Sequence, residues 1–173
     1  MAGAEPDSGD EARVRGLAGE GEAALASGDY DTAIARLRRA RDLDRVSADL
    51  AFNLGLAYLR SGRARDARSA FTEALALGPP AADTYANLGL ALYELGKLDE
   101  AEGSYAAALR LEPELPEALN NLGVIRFQAG RYAEAAALFR RALAARPGYE
   151  DAALNLRDTI AALAGEDEIA DES

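Results

Sequence analysis

The chain has 173 residues, 49% of them hydrophobic, which is enough for one domain with an apolar core. Cysteine and histidine are both absent, which excludes disulfides, zinc sites of the usual ligand types, thiol nucleophiles and imidazole acid–base chemistry. The net charge of −11 is concentrated at the ends: residues 1–11 carry four acids, residues 166–173 carry five, and the remainder holds 21 acids against 19 bases.

The two acidic ends are hydrophilic and contain few large apolar groups. We therefore predict disordered, solvated tails at residues 1–11 and 165–173. The N-terminal residues lack the basic lead and apolar core of a signal peptide, and no run of about 18 apolar residues is present, so we expect a cytoplasmic protein without a membrane partner. No basic surface with interleaved aromatics is evident, and nucleic acid is not an expected partner.

The sequence repeats itself with a period of 34 residues. Three copies begin at Asn53, Asn87 and Asn121 and read NLGLAYLRSGRARDARSAFTEAL, NLGLALYELGKLDEAEGSYAAAL and NLGVIRFQAGRYAEAAALFRRAL, and a weaker copy lies one period upstream. A unit of this length holds two short helices that cannot bury their apolar faces alone. Neighbouring units are therefore expected to stack into a solenoid with a curved groove.

Each unit is predicted to contain a first helix, a tight turn, a second helix and a stop. In the second copy Leu54 and Tyr58 lie at helical spacing, and Gly62 breaks the first helix. Phe71 belongs to the second helix, which ends before Pro79.

Small and large residues recur at matching places of the two helices. The small residues of the first helix are Gly21, Gly55, Gly89 and Gly123, and the large residues of the second helix are Leu37, Phe71, Tyr105 and Phe139. Glycine within a helix costs about 1 kcal/mol relative to alanine, so its regular return indicates close helix packing. A bulky side chain there would push the helix axes beyond the usual ~8–10 Å.

With these residues and the closing prolines Pro79, Pro113 and Pro147, the chain resembles tetratricopeptide-repeat proteins. In this register the repeats span residues 14–47, 48–81, 82–115 and 116–149, and residues 150–164 resemble the capping helix of the family. The resemblance implies an all-α fold over residues 12–164, a right-handed α-solenoid of antiparallel helix pairs with four repeats and a C-terminal capping helix.

The resemblance further implies that the first helices line the concave face of the solenoid. Their sixth place holds a ladder of asparagines: Asn53, Asn87, Asn121 and Asn155. A side-chain amide can pair with a peptide bond without reading the attached side chain, so the ladder is suited to an extended backbone of about nine residues. The alternative is that these amides only form hydrogen bonds between adjacent helices.

Apolar and acidic residues accompany the ladder. The apolar candidates for ligand pockets are Phe52, Leu56, Leu59, Leu90, Tyr93, Val124 and Phe127, and the acids of the second place are Asp49, Asp83, Glu117 and Asp151. Together they favour a basic and apolar extended ligand. Two alternatives stay open, because acids in the first turn also oppose the helix dipole and the apolar residues can pack on a neighbouring helix or on another copy of the protein.

Two places depart from what the resemblance implies. Some relatives bind the acidic C-terminal tails of heat-shock chaperones through a basic clamp, but here the clamp places hold residues such as Ala18, Glu22, Phe52 and Asp83, so such tails are not expected partners. Arg126 occupies a place usually filled by a packing residue. We interpret it as a snorkelling arginine at the join to the capping helix, with a functional arginine as the alternative.

The predicted function is that of a non-catalytic protein-interaction module that needs no cofactor or metal. It is expected to bind an extended segment of another protein or peptide in the concave groove. No convergent set of nucleophile, base or metal ligands can be assembled from the sequence, so an enzyme is not expected. The alternative function is a self-associating structural scaffold whose groove is occupied by a neighbouring copy or by an acidic tail.

Overall fold

A computed structural model describes residues 8–171, and side chains within residues 9–165. This part of the chain forms nine α-helices and no strands, which confirms the all-α prediction. The helices are α1 (Ser8–Ser27), α2 (Tyr30–Leu43), α3 (Ala48–Arg60), α4 (Ala64–Leu77), α5 (Ala82–Glu94), α6 (Leu98–Leu111), α7 (Pro116–Gln128), α8 (Tyr132–Ala145) and α9 (Glu150–Asp171). They fall into two compact units, unit 1 up to Pro80 and unit 2 from Ala81. None of these helices is long and apolar enough to cross a bilayer.

The first helix of every repeat ends in the same glycine turn. Gly28, Gly62, Gly96 and Gly130 have φ between 72° and 81°, in the left-handed region that glycine adopts without steric cost. After α3 the Arg63 amide donates to the Tyr58 carbonyl at 2.8 Å, and the Gly62 amide donates to the Leu59 carbonyl at 3.0 Å. These bonds satisfy the last carbonyls of the helix and turn the chain sharply into α4.

Unit 1 consists of the helix pairs α1–α2 and α3–α4, which are joined by packing of α2 on α3. Leu37 and Phe71 are fully buried and face Gly21 and Gly55. A Cβ atom added at Gly55 would lie 2.6 Å from Cε1 of Phe71. The absence of a side chain at this place therefore lets the two helices of the pair pack closely.

Unit 2 repeats this arrangement in α5–α6 and α7–α8 and adds α9, which packs on α8 and α7. Tyr105 and Phe139 are buried against Gly89 and Gly123. Ala152 of α9 is fully buried in a cluster with residues of α7 and α8. With the two pairs of unit 1, the described residues form four helix pairs and a ninth helix, which agrees with the predicted number of repeats.

Two helix ends differ from the predicted tail boundaries. α1 begins at Ser8, so residues 8–11 are helical, and Asp10 and Glu11 favourably oppose the positive end of its dipole. α9 continues beyond residue 164 to Asp171, and no proline follows Pro147 to end the helix earlier. Residues 1–7 and 172–173, the rest of the predicted tails, lie outside the described residues.

Candidate protein-binding surface

In unit 1 the predicted site residues lie on α3, beside α1. Asn53 Nδ2 donates to Oε1 of Glu22 on α1 at 2.8 Å. Phe52 is half-buried and packs on Phe71 with ring centroids 5.8 Å apart, while Leu56 is half-buried and Asp49 is exposed. The face that α3 presents beside Asn53 is therefore apolar with an acidic edge.

Leu59 does not belong to this accessible face. Its side chain is only 8% exposed, whereas the sequence analysis expected it to project from the inner face. Three successive residues, Ala57, Tyr58 and Leu59, are buried at the end of α3, so this last turn is enclosed on several sides. Leu59 consequently offers little surface for a ligand.

In unit 2 the first set of predicted residues lies on α5. Asn87 Nδ2 donates to the backbone carbonyl of Asp83 in its own helix at 2.8 Å. Leu90 and Tyr93 are half-buried and Asp83 is exposed. The Tyr93 hydroxyl accepts a 2.5 Å hydrogen bond from Nε2 of Gln128, a residue of α7 that the sequence analysis did not single out.

The second set lies on α7. Val124 and Phe127 are half-buried, and the Phe127 ring packs on Tyr132 with centroids 5.2 Å apart. Asn121 is half-buried, and its Oδ1 accepts a 3.3 Å hydrogen bond from Asn120 Nδ2. Glu117, in the first turn, forms an ion pair with Arg146 at 2.6 Å and is therefore partly neutralised.

All four ladder asparagines have partners within the protein. Asn155 of α9 donates through Nδ2 to Oδ1 of Asn120 at 3.0 Å, so Asn155 and Asn53 both bridge neighbouring helices. Asn120 is only 5% exposed and had no signal in the repeat pattern, since the equivalent positions in the other copies are not asparagine. Contact of the ladder with a ligand stays a prediction.

The exposed acids give the inner faces a negative field. Asp49, Asp83 and Asp151 form no ion pair with any described residue. α5 carries Asp83 and Glu94 and no basic residue, and partial burial raises the pKa of the Glu94 carboxyl group. A ligand that brings positive charge to these faces is electrostatically favoured.

Arg126 has a different place from the one expected. Its guanidinium group, 15% exposed, binds both carboxylate oxygens of Glu102 on α6 and lies 3.4 Å from Oε2 of Glu134 on α8. The hydrogen bonds from Arg126 hold the pKa of Glu102 below its ordinary value. Arg126 therefore joins α7 to α6 and α8 through acids, instead of lying at the join to the capping helix.

A cavity of about 570 Å³ lies away from these faces, at the start of α1 and the end of α2. Val14, Leu43 and Val46 line it together with charged residues. None of the predicted site residues lines this cavity. This cavity is therefore separate from the predicted site.

The helix pairs, the recurring glycine turns and the stacked first helices define a helical-repeat fold, a class typical of protein–protein interaction modules. The model of the tetratricopeptide repeat family matches residues 19–82 and 86–150. The chain belongs to this family, as the sequence analysis concluded. Members of the family are generally non-catalytic scaffolds for interaction.

Solved structures show the same fold. A crystal structure of MamA protein is 20% identical, with a TM-score of 0.78 over 92% of this chain and 87% of that one. PilF of Pseudomonas aeruginosa is 26% identical, with a TM-score of 0.78 over 93% of this chain and 72% of that one. The first TPR of Spaghetti (RPAP3), bound to the HSP90 peptide SRMEEVD, is 31% identical, with a TM-score of 0.68 over 74% of this chain and 99% of that one. None of the curated proteins compared with the chain matches it.

Proposed function

We propose that this protein is a non-catalytic interaction module that binds an extended, basic and apolar segment of a partner protein along the inner faces of its first helices. In unit 1 Asn53 contacts the backbone of such a segment, and in unit 2 Asn87 and Asn121 do so. Half-buried apolar side chains beside them receive its apolar residues. The observation that carries the proposal is the recurrence, in both units, of an accessible amide beside half-buried apolar groups and unpaired carboxylates.

The energetics require this combination. One hydrogen bond contributes about 0.5–1.5 kcal/mol net, whereas ordering one backbone residue costs about 1–2 kcal/mol. Amides alone therefore cannot hold an extended segment. Burial of apolar surface, at roughly 25 cal/mol per Å², supplies the difference, and the unpaired acids add selectivity for lysine or arginine.

The experiment begins with a displayed library of random nine-residue peptides, selected on the wild-type protein. Selected peptides are labelled, and their affinities are measured by fluorescence polarisation for wild type and for Asn53→Ala/Asn87→Ala/Asn121→Ala. We expect enrichment of basic and apolar residues and an affinity loss of at least about tenfold in the triple variant. A matched control is Asp42→Ala/Ser69→Ala/Arg140→Ala, three exposed changes on second helices.

Both variants must first match wild type in helicity and thermal stability by circular dichroism. Equal affinity of the wild type and the asparagine variant for every selected peptide would contradict the proposal. Raising the salt concentration separates the charge contribution, since affinity for a basic peptide must fall as exposed charges are screened.

The acidic peptide SRMEEVD provides a negative test. The relative that binds it is 31% identical to this chain, but here Glu22 adds negative charge beside Asn53 and Asp83 is exposed. We expect no binding in isothermal titration. Micromolar affinity would show that the field of the inner faces does not govern selection.

The alternative function is a self-associating scaffold, and one observation favours it. On α9, Leu154 is 48% exposed and Ile160 is 47% exposed, which leaves apolar surface on the last helix. A mass that rises with protein concentration in analytical ultracentrifugation, together with failure to enrich any peptide, would support the scaffold over peptide binding.

A further inference from the structure

A chain of side-chain amides runs from the capping helix to the asparagine ladder in unit 2. Asn155 Nδ2 donates to Asn120 Oδ1 at 3.0 Å, and Asn120 Nδ2 donates to Asn121 Oδ1 at 3.3 Å. Asn120 lies in the middle and is 5% exposed. Because both bonds run in the same direction, the state of each amide fixes the orientation of the next one.

These hydrogen bonds between amides leave Asn121 with a different set of free donors and acceptors from Asn53 and Asn87. Its Oδ1 accepts a hydrogen bond from Asn120, and its NH₂ group forms no hydrogen bond of acceptable geometry with any described residue, although the side chain lies near the Tyr105 hydroxyl. Asn53 and Asn87 differ, since each donates one N–H, to Glu22 and to the Asp83 carbonyl. Asn121 therefore keeps both N–H donors, whereas Asn53 and Asn87 each keep one N–H donor and an acceptor oxygen.

A second observation is that a polar group near Asn121 lacks a hydrogen-bond partner. The Tyr105 hydroxyl is buried and finds no hydrogen-bond partner among the described residues. Burial raises the pKa of Tyr105, while the nearby Asn121 side chain lowers it, yet no hydrogen bond of acceptable geometry forms between them. The corresponding places in the neighbouring repeats hold Phe71 and Phe139, which need no partner.

We infer that Asn120 and Asn155 are positioning residues, which hold Asn121 with its NH₂ group free to donate to a backbone carbonyl of the bound segment. This inference rests on the proposed function. Asn155 then acts through Asn120 and does not touch the peptide. The capping helix thereby sets the hydrogen-bond polarity of the last ladder amide in unit 2.

The substitution Asn155→Asp tests this directly, because it keeps the shape and removes the donor. The new carboxylate accepts from Asn120 Nδ2, so Asn120 must turn its oxygen to Asn121, and Asn121 then donates one of its two free N–H groups to Asn120. Asn155→Ala only removes the hydrogen bond to Asn120 and does not force Asn120 to turn. We therefore expect a larger loss of affinity for a selected nine-residue peptide in Asn155→Asp than in Asn155→Ala, with about 2- to 10-fold in the former.

Two readouts separate positioning from mere stability. In the free protein, the side-chain NH₂ resonances of Asn121, assigned from their loss in Asn121→Ala, must shift in Asn155→Asp and stay in place in Asp158→Asn. Asp158 lies on the same helix but is exposed and pairs with Arg157, so it is a matched control. In a double-mutant cycle, the effect of Asn155→Asp on affinity must vanish when Asn121 is already alanine.

The outcomes distinguish this inference from the proposed function. Unshifted Asn121 resonances in Asn155→Asp, an equal or greater loss in Asn155→Ala, or a loss that persists in the Asn121→Ala background would each overturn the positioning role. Unchanged peptide affinity in Asn53→Ala, Asn87→Ala and Asn121→Ala alike would instead contradict the proposed function. If Asn155→Asp weakens the packing of α9, the double-mutant cycle of Asn155→Ala with Asn121→Ala is decisive, since Asn155→Ala adds no charge. The effect of Asn155→Ala on affinity must then vanish in the Asn121→Ala background.

Discussion

Units 1 and 2 share their apolar contacts and differ in their polar ones. In both units a glycine of the first helix faces a large residue of the second, as in the pairs Gly55–Phe71 and Gly123–Phe139. Polar links at the start of the second helices follow the period, as the ion pairs Arg63–Asp66 and Arg131–Glu134 show. The links of the ladder asparagines do not: in unit 1 an exposed bond joins Asn53 to Glu22, and in unit 2 a partly buried amide chain joins α7 to α9. The repeat therefore fixes where helices touch, while the polar links between first helices differ from repeat to repeat.

The largest expected effect tests the shared part of this comparison. In Gly55→Val and Gly123→Val, the new Cβ would lie 2.6 Å from a ring carbon of Phe71 or Phe139. Each substitution should lower the free energy of unfolding by about 2–3 kcal/mol, measured by urea denaturation. Gly103→Val is the control, because a Cβ atom added at Gly103 has no other atom within 4 Å. A loss in only one unit would show that the two packing contacts are not equivalent.

The next effect tests a polar contact of unit 2. Arg126→Met removes the bidentate contact with Glu102 and should cost about 1–2 kcal/mol, since hydrogen bonds to charged groups are the stronger ones. The counterpart in unit 1 is Arg41, which forms an ion pair with the half-exposed Glu73. Arg41→Met should cost less, within about 1 kcal/mol, because it removes a single ion pair, whereas Arg126 binds both oxygens of Glu102 and also lies near Glu134.

The same pair predicts a pH dependence with a defined sign. The folded-state pKa of Glu102 lies below its ordinary value of 4.5, because Arg126 hydrogen-bonds the charged form. Its contribution to stability is therefore present above pH 4.5 and is lost as the pH falls through the lowered pKa. The Glu102→Gln variant should unfold with a shallower pH dependence in acid, and an unchanged profile would contradict the role of the pair.

An exchange of hydroxyl groups between the units gives two effects of opposite sign. Tyr105→Phe removes a buried hydroxyl without a partner among the described residues and should raise the free energy of unfolding by about 1 kcal/mol. Phe71→Tyr places such a hydroxyl in unit 1 and should lower stability by about 1–3 kcal/mol. If Tyr105→Phe is destabilising, the hydroxyl has a partner in solution, and the contrast between these two places disappears.

These effects also separate what the sequence could predict from what it could not. The period predicted the glycine turns and the contacts of Gly55 and Gly123, because backbone geometry repeats with the fold. It could not place Arg126, because its main partner Glu102 lies in another helix, at a place that holds Arg68 and Ala136 in the neighbouring repeats. Asn120 was missed for the same reason, since its distant partner Asn155 belongs to the capping helix.

The candidate site was predictable as a set of positions but not as a set of hydrogen-bond states. Phe52, Leu90 and Val124, which the pattern predicts to form ligand pockets, are half-buried on first helices. It did not reveal that Leu59 is buried, because its spacing is that of an inner-face residue and only the packing of the last turn of α3 encloses it. The partners of Asn53, Asn121 and Asn155 likewise are side chains that the period does not constrain.

The smallest expected effect concerns glycines that make no helix contact. Gly19 in α1 and Gly103 in α6 lie within helices, are exposed, and would place an added Cβ where no atom lies within 4 Å. Gly19→Ala and Gly103→Ala should each raise the free energy of unfolding by about 0.5–1 kcal/mol, since alanine restricts the unfolded chain and favours the helix. The matched change Gly89→Ala puts a Cβ 2.7 Å from Cε1 of Tyr105 and should be destabilising. If Gly19→Ala and Gly103→Ala raise the free energy of unfolding equally and Gly89→Ala lowers it, the same rule holds in both units. The contact of the glycine with its neighbouring helix, and not the residue type, then decides whether alanine stabilises or destabilises the protein.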